Sequence, residues 1–405
     1  MMRLDVWLTL PDGMQTLIGE LAFGDADNSG RYASGFRYTQ AWAANRNAFP
    51  IDPESLLLAT GNHVESQNLF PPLAVFDDAL PDDWGRRVLA ADRKLPRREH
   101  AEPYLLREVG ADGLGALAFC EQGKPLQKLQ PASMLDLADL LEAASSFEAG
   151  IPLEDERMRR LLAAGGSAGG ARPKALVSAD DGAWIAKFPS RLKDGRYDVV
   201  GLEATAMALA GHAKLLVPQT RLEIMGAKKA LLVKRFDITE QGGRAHMISL
   251  RTLCKERPGV YILSYREVAD MIRKHSADPA EDVARFYRQT AFNAMLGNTD
   301  DHLKNFWMIN AGAGYRLSPA FDLVPDVAEK GEHTLCFDLT FTPPLKIDWL
   351  KIGKLWGVGG APSIIAEVAE AMSAFEGLAR GFGVPEENIA VIKMDIEKRR
   401  KQCLG

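Results

Sequence analysis

The chain has 405 residues, 46% of them hydrophobic and 25% charged, with a formal net charge of -5. This is the composition of a folded globular protein, with material for two domains or one large two-lobed body. The acidic balance argues against non-specific nucleic-acid binding as the main activity, and the scattered Cys120, Cys254, Cys336 and Cys403, without any Cys-x-x-Cys spacing, argue against structural zinc and a disulfide framework. An acid, Asp5, interrupts the first apolar stretch and Pro11-Asp12-Gly13 follows it. No signal-peptide core is read there, and no run approaches the roughly 18 apolar residues of a membrane span. A cytoplasmic protein with no membrane partner is expected.

In chain order, residues 4–10 and 16–23 read as two strands joined by the Pro11-Asp12-Gly13 turn, opening a mixed α/β region to about residue 125. Later in that region, Val75 to Arg87 is a turn whose acidic first helical turn precedes a basic end. Residues 133–147, with Leu135, Leu137, Leu140 and Leu141 on one stripe, and residues 153–164 read as helices. A glycine-rich break covers residues 165–174. Two apolar runs, 175–178 and 183–188, flank Asp180-Asp181-Gly182 as a hairpin. A helix over 199–210 and a second hairpin, 220–224 with 230–236 around Gly226, come next. From Tyr265 the periodicity is helical almost to the end, interrupted at about 297–346. The basic tail Lys398-Arg399-Arg400-Lys401 reads as a solvated helix end.

The interruption holds the most informative residues. Asn298-Thr299-Asp300-Asp301-His302-Leu303-Lys304-Asn305 is followed by Ser318-Pro319-Ala320-Phe321-Asp322. An Asp with an Asn five positions on can aim a carboxylate at an attacking hydroxyl and an amide oxygen at Mg²⁺, and a later Asp can complete the metal site. Asp300, Asn305 and Asp322 fit those roles. Asp and Asn also cap helices and make turns, but here the polar residues sit between two apolar elements, where placing them is costly unless they are used. Lys304 could stabilise charge on a transferred phosphoryl group, and His302 could steady the loop.

Glycines 165, 166, 169 and 170 would let backbone N–H groups approach phosphate oxygens, although a glycine cluster taken alone reads as a linker or helix stop. Neither G-x-x-x-x-G-K-[ST] nor G-x-G-x-x-G occurs there. Lys187, in Trp184-Ile185-Ala186-Lys187-Phe188, can reach nucleotide phosphates from a strand or point to solvent from an edge. Glu203 could pair with it, with a surface carboxylate as the default reading. Leu231 to Asp237 would supply the strand and hinge whose backbone reads the adenine edge between apolar walls.

With these motifs in order, the chain resembles the HipA-family serine/threonine kinases, the toxin half of HipA/HipB-type toxin–antitoxin pairs, over nearly its whole length. Val6-Trp7-Leu8 and the Phe76 to Arg87 segment with Leu80-Pro81-Asp82 are similar to the domain that precedes the kinase body. Ser167 to Lys174 is similar to the family's phosphate loop, Trp184 to Pro189 to its lysine strand and Val233 to Asp237 to its hinge. Asp300 to Asn305 and Phe321-Asp322 fall on its catalytic and metal segments.

The resemblance implies an α+β, protein-kinase-like two-lobed fold: an N-terminal subdomain at 1–125, a β-rich nucleotide lobe at 126–236 and a mostly helical catalytic lobe at 237–405. It implies ATP and Mg²⁺ as cofactors and Asp300 as base, with Lys304 beside it. Asn305 and Asp322 would be metal ligands. Lys187, Ser167, Ala168, Gly169, Gly170, Lys234, Phe236, Asp237 and His302 would line the nucleotide site, and Ser167 would be an autophosphorylated loop serine. The added phosphate would expel the loop and stop ATP binding. A HipB-like DNA-binding antitoxin and a protein substrate, such as an aminoacyl-tRNA synthetase, are the implied partners, with DNA reached only through the antitoxin. A small-molecule phosphotransferase and a catalytically weak antitoxin-binding subunit are the alternatives.

Overall fold

A computed structural model describes every residue except 60, 62, 71, 112, 127–131, 134–135, 155, 157–171, 257–262 and 338–339. The chain divides into two compact units. The first comprises Met1–Ala186, Arg235–Val260 and Ile309–Gly314; the second comprises Lys187–Lys234, Tyr261–Met308 and Tyr315–Gly405.

The first unit is built on a five-stranded antiparallel sheet in the order His63–Gln67, Ala33–Tyr38, Gln15–Phe23, Met2–Thr9, Leu117–Glu121. Alternation drives it: Leu4, Val6 and Leu8 are buried while their neighbours are partly wet. The helix Ala74–Asp78 packs on this sheet through Phe76, whose ring lies 5.0 Å from Phe36 and 6.2 Å from Phe119. The two strands around Pro11-Asp12-Gly13 form as the sequence predicts. The strands Ala33–Tyr38 and His63–Gln67 that extend this sheet lack a clear sequence signal, because the first buries Ser34, Gly35 and Phe36 in a row and so breaks the alternation, and the second is short and mostly polar.

Two further expectations need adjusting. Residues 132–133 form a short strand paired in parallel with Val177 and Ser178, so the helix begins at Leu137 and not at 133. The helix expected over 153–164 falls mainly outside the described residues. The hairpin Lys174–Ala179 with Gly182–Lys187 forms around Asp181, which accepts the Trp184 indole N–H at 3.0 Å.

The second unit is mainly helical. Its centre is the helix Pro279–Leu296, which starts on the Asp278 cap with proline in its first turn. From Phe286 onward almost every residue is buried, because the helices Tyr265–His275, Ala361–Ala371 and Glu386–Leu404 pack around it. Ser264 and Glu267 form a capping box that fixes the start of Tyr265–His275.

The central helix stops at Gly297, which is left-handed (φ +76°). A Cβ at Gly297 would lie 2.8 Å from Arg399 Nε and 3.0 Å from an Asp395 carboxylate oxygen. Arg399 is buried and bound to Asp395 at 2.6 Å. The basic tail is therefore only partly a solvated helix end: Lys398 and Lys401 are exposed, while Arg399 faces inward where two carboxylates compensate its burial.

Candidate active site

Lys187, the last residue of its strand, donates to Glu203 and, at 2.7 Å, to Asp322 Oδ1. Glu203 is not a surface carboxylate. The helix Val199–His212 is buried on nearly all sides, and a carboxylate in its second turn has no route to water. The ion pair is what makes that burial tolerable. Burial alone would depress the Lys187 ammonium, but the charges of Asp322 and Glu203 outweigh it and hold the group above the ordinary lysine value. The cluster carries two acids for one base, and Asp322 is the more exposed acid, at 36% of its side chain.

The Asp322 backbone is left-handed (φ +56°). An L-residue adopts that region at a cost, and Asp is among the few types found there. Such strain persists only where the surroundings hold it, as functional loops do.

The loop after Gly297 presents its two acids differently. Asp300 is 59% exposed, with Lys330 Nζ 3.2 Å away and His302 Nε2 at 4.0 Å. Asp301 is wholly buried. It accepts from the Tyr265 hydroxyl, from the Thr334 N–H at 2.7 Å and lies 2.8 Å from His333 Nδ1. Asp301 therefore anchors the loop and Asp300 is left to face solvent.

Residues Leu303–Asn305 make a single 3₁₀ turn. Within it, Asn305 Nδ2 donates to the Asp300 carbonyl at 2.7 Å. That bond fixes the amide: the nitrogen must face the carbonyl, so Oδ1 is turned away from it. The Lys304 carbonyl accepts the Trp307 indole N–H at 2.6 Å. Ser318 N–H then donates to the Trp307 carbonyl at 2.9 Å, so the segment leaving Asn305 is tied to the segment leading into Asp322.

An Mg²⁺ ion that arrives with a nucleotide needs one or two protein oxygens and fills its octahedron with water and phosphate. One carboxylate, Asp322, and one amide oxygen, Asn305 Oδ1, have that chemistry. Among the described residues no trio of His, Cys, Asp or Glu could hold a metal, so an ion here would rely on substrate oxygens.

Of the remaining sequence candidates, Ser167, Ala168, Gly169 and Gly170 lie outside the described residues. Lys234 ends the strand Lys228–Lys234, its N–H bonded to the Gln219 carbonyl at 2.9 Å. In the first unit, the Asp237 carboxylate is buried and engaged by Arg235 at 2.9 Å, Arg244 at 3.1 Å and the Gly115 N–H at 2.8 Å. Its carbonyl accepts from the Ala245 N–H. Burial would raise its pKa, but Arg235 and Arg244 win and hold it at about 2. The side chain of Asp237 holds the turn together, and Phe236 is its neighbour in that turn. Sequence reading missed Lys330, Tyr265 and His333: each is remote in sequence from the acid it contacts and belongs to no motif.

Comparison with known proteins is decisive here. The HipA-like C-terminal domain model matches residues 166–376, more than half of the chain, and the HipA N-terminal domain model matches residues 4–120. The chain belongs to the HipA family. The chain is 25% identical to the Sinorhizobium fredii protein named putative kinase Y4mE over 80% of its own length and 81% of that protein. A second protein of that organism, named putative kinase Y4dM, is 27% identical over 40% of the chain and 42% of its own length.

In fold, the chain is similar to a solved HipA of Shewanella oneidensis MR-1, determined with HipB and its operator DNA. The TM-score is 0.69 at 19% identity, covering 98% of this chain and 97% of that one. The expected α+β, kinase-like fold class is thus the one the HipA-family chain adopts. Among the described residues no helix is long and apolar enough to cross a membrane.

Proposed function

We propose that this HipA-family chain is an ATP- and Mg²⁺-dependent serine/threonine protein kinase, the toxin of a cytoplasmic toxin–antitoxin pair. In this reading Asp300 accepts the proton of the substrate hydroxyl as its oxygen attacks the γ-phosphorus. Lys187, oriented by Glu203, contacts the nucleotide phosphates, and Asp322 and Asn305 Oδ1 hold the metal. Bound Mg²⁺ would neutralise charge on the phosphoryl oxygens. Lys304 and Lys330 add positive charge near the transferred group, His302 steadies the loop, and Lys234, Phe236 and the backbone at Asp237 border the base of the nucleotide. Residues 167–170 form the phosphate loop, with Ser167 as its autophosphorylated switch.

The division into 1–125, 126–236 and 237–405 belongs to the same proposal. So do a HipB-like antitoxin as partner and a protein of the translation machinery as substrate. The likeness to a HipA crystallised with HipB and operator DNA supports the antitoxin.

The observation that carries the reading is the pair of unlike neighbours: a solvent-facing Asp300 whose carbonyl fixes Asn305, beside an Asp301 consumed by buried partners. Replacing Asp300 with Asn should cut transfer of labelled phosphate from ATP by about 10²–10⁴-fold, while nucleotide affinity stays near wild type. Label on Ser167 of the wild type, lost in Ser167→Ala, supports the protein kinase. Full transfer by Asp300→Asn would end the assignment of the base.

A further inference from the structure

Within the second unit, a cavity of about 250 Å³ is lined by Tyr265, Arg266, Thr290, Phe337, Ile352 and Trp356, with Lys351 and Leu355 at its edge. It is smaller than the roughly 300–1,000 Å³ of small-molecule sites and suits one large apolar side chain. Its entrance is marked by an unusual surface. Along the helix Lys346–Leu355, Ile347, Lys351 and Leu355 follow one another at four-residue spacing on one face, and Ile347 and Leu355 are 61% and 54% exposed. Arg266 and Lys351 are exposed at its rim, and Asp348, which pairs with Lys351 at 3.0 Å, offsets only one of them. An apolar slot with a basic rim complements a segment of the opposite charge carrying one hydrophobic anchor.

The back wall of the cavity reaches the catalytic loop by two routes. The Tyr265 hydroxyl donates to Asp301. Phe337 lies 4.9 Å from the Tyr265 ring and 4.9 Å, edge-on, from His333, the other side-chain partner of Asp301. Trp356 stacks on Phe286 at 5.7 Å, and Phe286 in turn meets Phe306, the residue after Asn305, at 5.4 Å. Filling the cavity presses on the aromatic layer that holds Asp301 and hence the loop bearing Asp300.

We propose that this cavity docks an acidic peptide segment of a partner protein through one large apolar residue, and that occupancy stiffens the loop from Asn298 to Asn305. The regulatory meaning rests on Asp300 being the catalytic base; the docking and the stiffening do not.

The test uses the full chain and fluorescein-labelled heptapeptides Glu-Asp-Glu-Phe-Asp-Glu-Asp, the same peptide with Ala for Phe, and the same with Lys for every acid. Fluorescence anisotropy should show the acidic Phe peptide bound at least about 10-fold more tightly than either control, which corresponds to roughly 1.4 kcal/mol. Leu355→Asp and Arg266→Glu, both at exposed positions, should each weaken it about 10-fold with unchanged circular dichroism. Saturation should slow hydrogen exchange of the Thr334 amide, the N–H bonded to Asp301, several-fold in the wild type and not in Leu355→Asp. Equal affinity for all three peptides, no binding, wild-type affinity in both variants or an unmoved Thr334 would overturn the proposal. Concentration-dependent self-association abolished by Leu355→Asp would give the surface to a second copy of the chain and overturn the peptide assignment. All these readouts are independent of phosphoryl transfer, so a failed kinase assay leaves them interpretable.

Discussion

Each unit holds a buried cluster of three charges, and the two clusters are opposites. In the first unit one acid, Asp237, sits between two arginines, nearly sealed from water, with a backbone N–H completing its shell. In the second, one base, Lys187, sits between two acids, and the second acid, Asp322, is partly open to solvent on a strained backbone. Burial with every valence used is the mark of a brace. A second acid on the same lysine, with 36% of its side chain open to solvent, is the mark of a place for a cation. Charge clusters alone therefore do not locate a site; their imbalance and exposure do.

The sharpest way to break this contrast is to delete the acid from each cluster. Asp322→Ala should lower phosphate transfer by on the order of 10³-fold, with a melting temperature close to wild type, because Lys187 keeps Glu203. A large loss of stability with normal transfer would reverse the two roles. Asp237→Ala should do the opposite, costing about 3–5 kcal/mol in urea unfolding, since it strands buried Arg235 without its partner. Activity per folded molecule should be retained.

Acid titration sharpens the same comparison. Asp237 has its folded pKa depressed to about 2 from the ordinary 3.8, so its contribution is fully present above pH 4 and is lost as pH falls from about 4 to 2. The loss should be on the order of 2 kcal/mol, and Asp237→Asn should remove that part of the pH dependence of the unfolding midpoint. The smallest effect is expected at Lys330, an exposed partner of exposed Asp300. Lys330→Ala should change the transfer rate less than about fivefold and hardly move stability. A drop as large as that of Asp300→Asn would place Lys330 among the catalytic groups.

Much of the architecture could be read from the chain. Turn residues such as Pro11-Asp12-Gly13 and Asp180-Asp181-Gly182 punctuate alternating runs, and those hairpins formed where expected. The Asp300, Asn305 and Asp322 spacing singled out a segment whose local geometry is unusual in several respects. What escaped the sequence were facts decided by distant neighbours. Glu203 is buried because its helix is surrounded, and Asp301 is an anchor because Tyr265, His333 and Thr334 converge on it across more than 30 residues of chain. Arg399 turns inward from a run of four basic residues that looks uniformly wet. In each case residue type gives the chemistry, and only packing says which copy of that chemistry is withdrawn from water.

Arg399 carries one more implication. From the terminal helix it fills the space a Cβ at Gly297, the left-handed end of the central helix, would need, and it lies 3.9 Å from the Asp326 carboxylate. Asp326 in turn gathers the N–H groups of Lys330 and Gly331. A single guanidinium near the C-terminus thus clasps the chain just upstream of Asp300 and just downstream of Asp322. Trimming the protein ahead of Asp395 would unfasten both flanks at once and strip buried Ile396 and Cys403 from the core, so a proteolytic nick there should loosen the Asp300 and Asp322 segments and lower stability together.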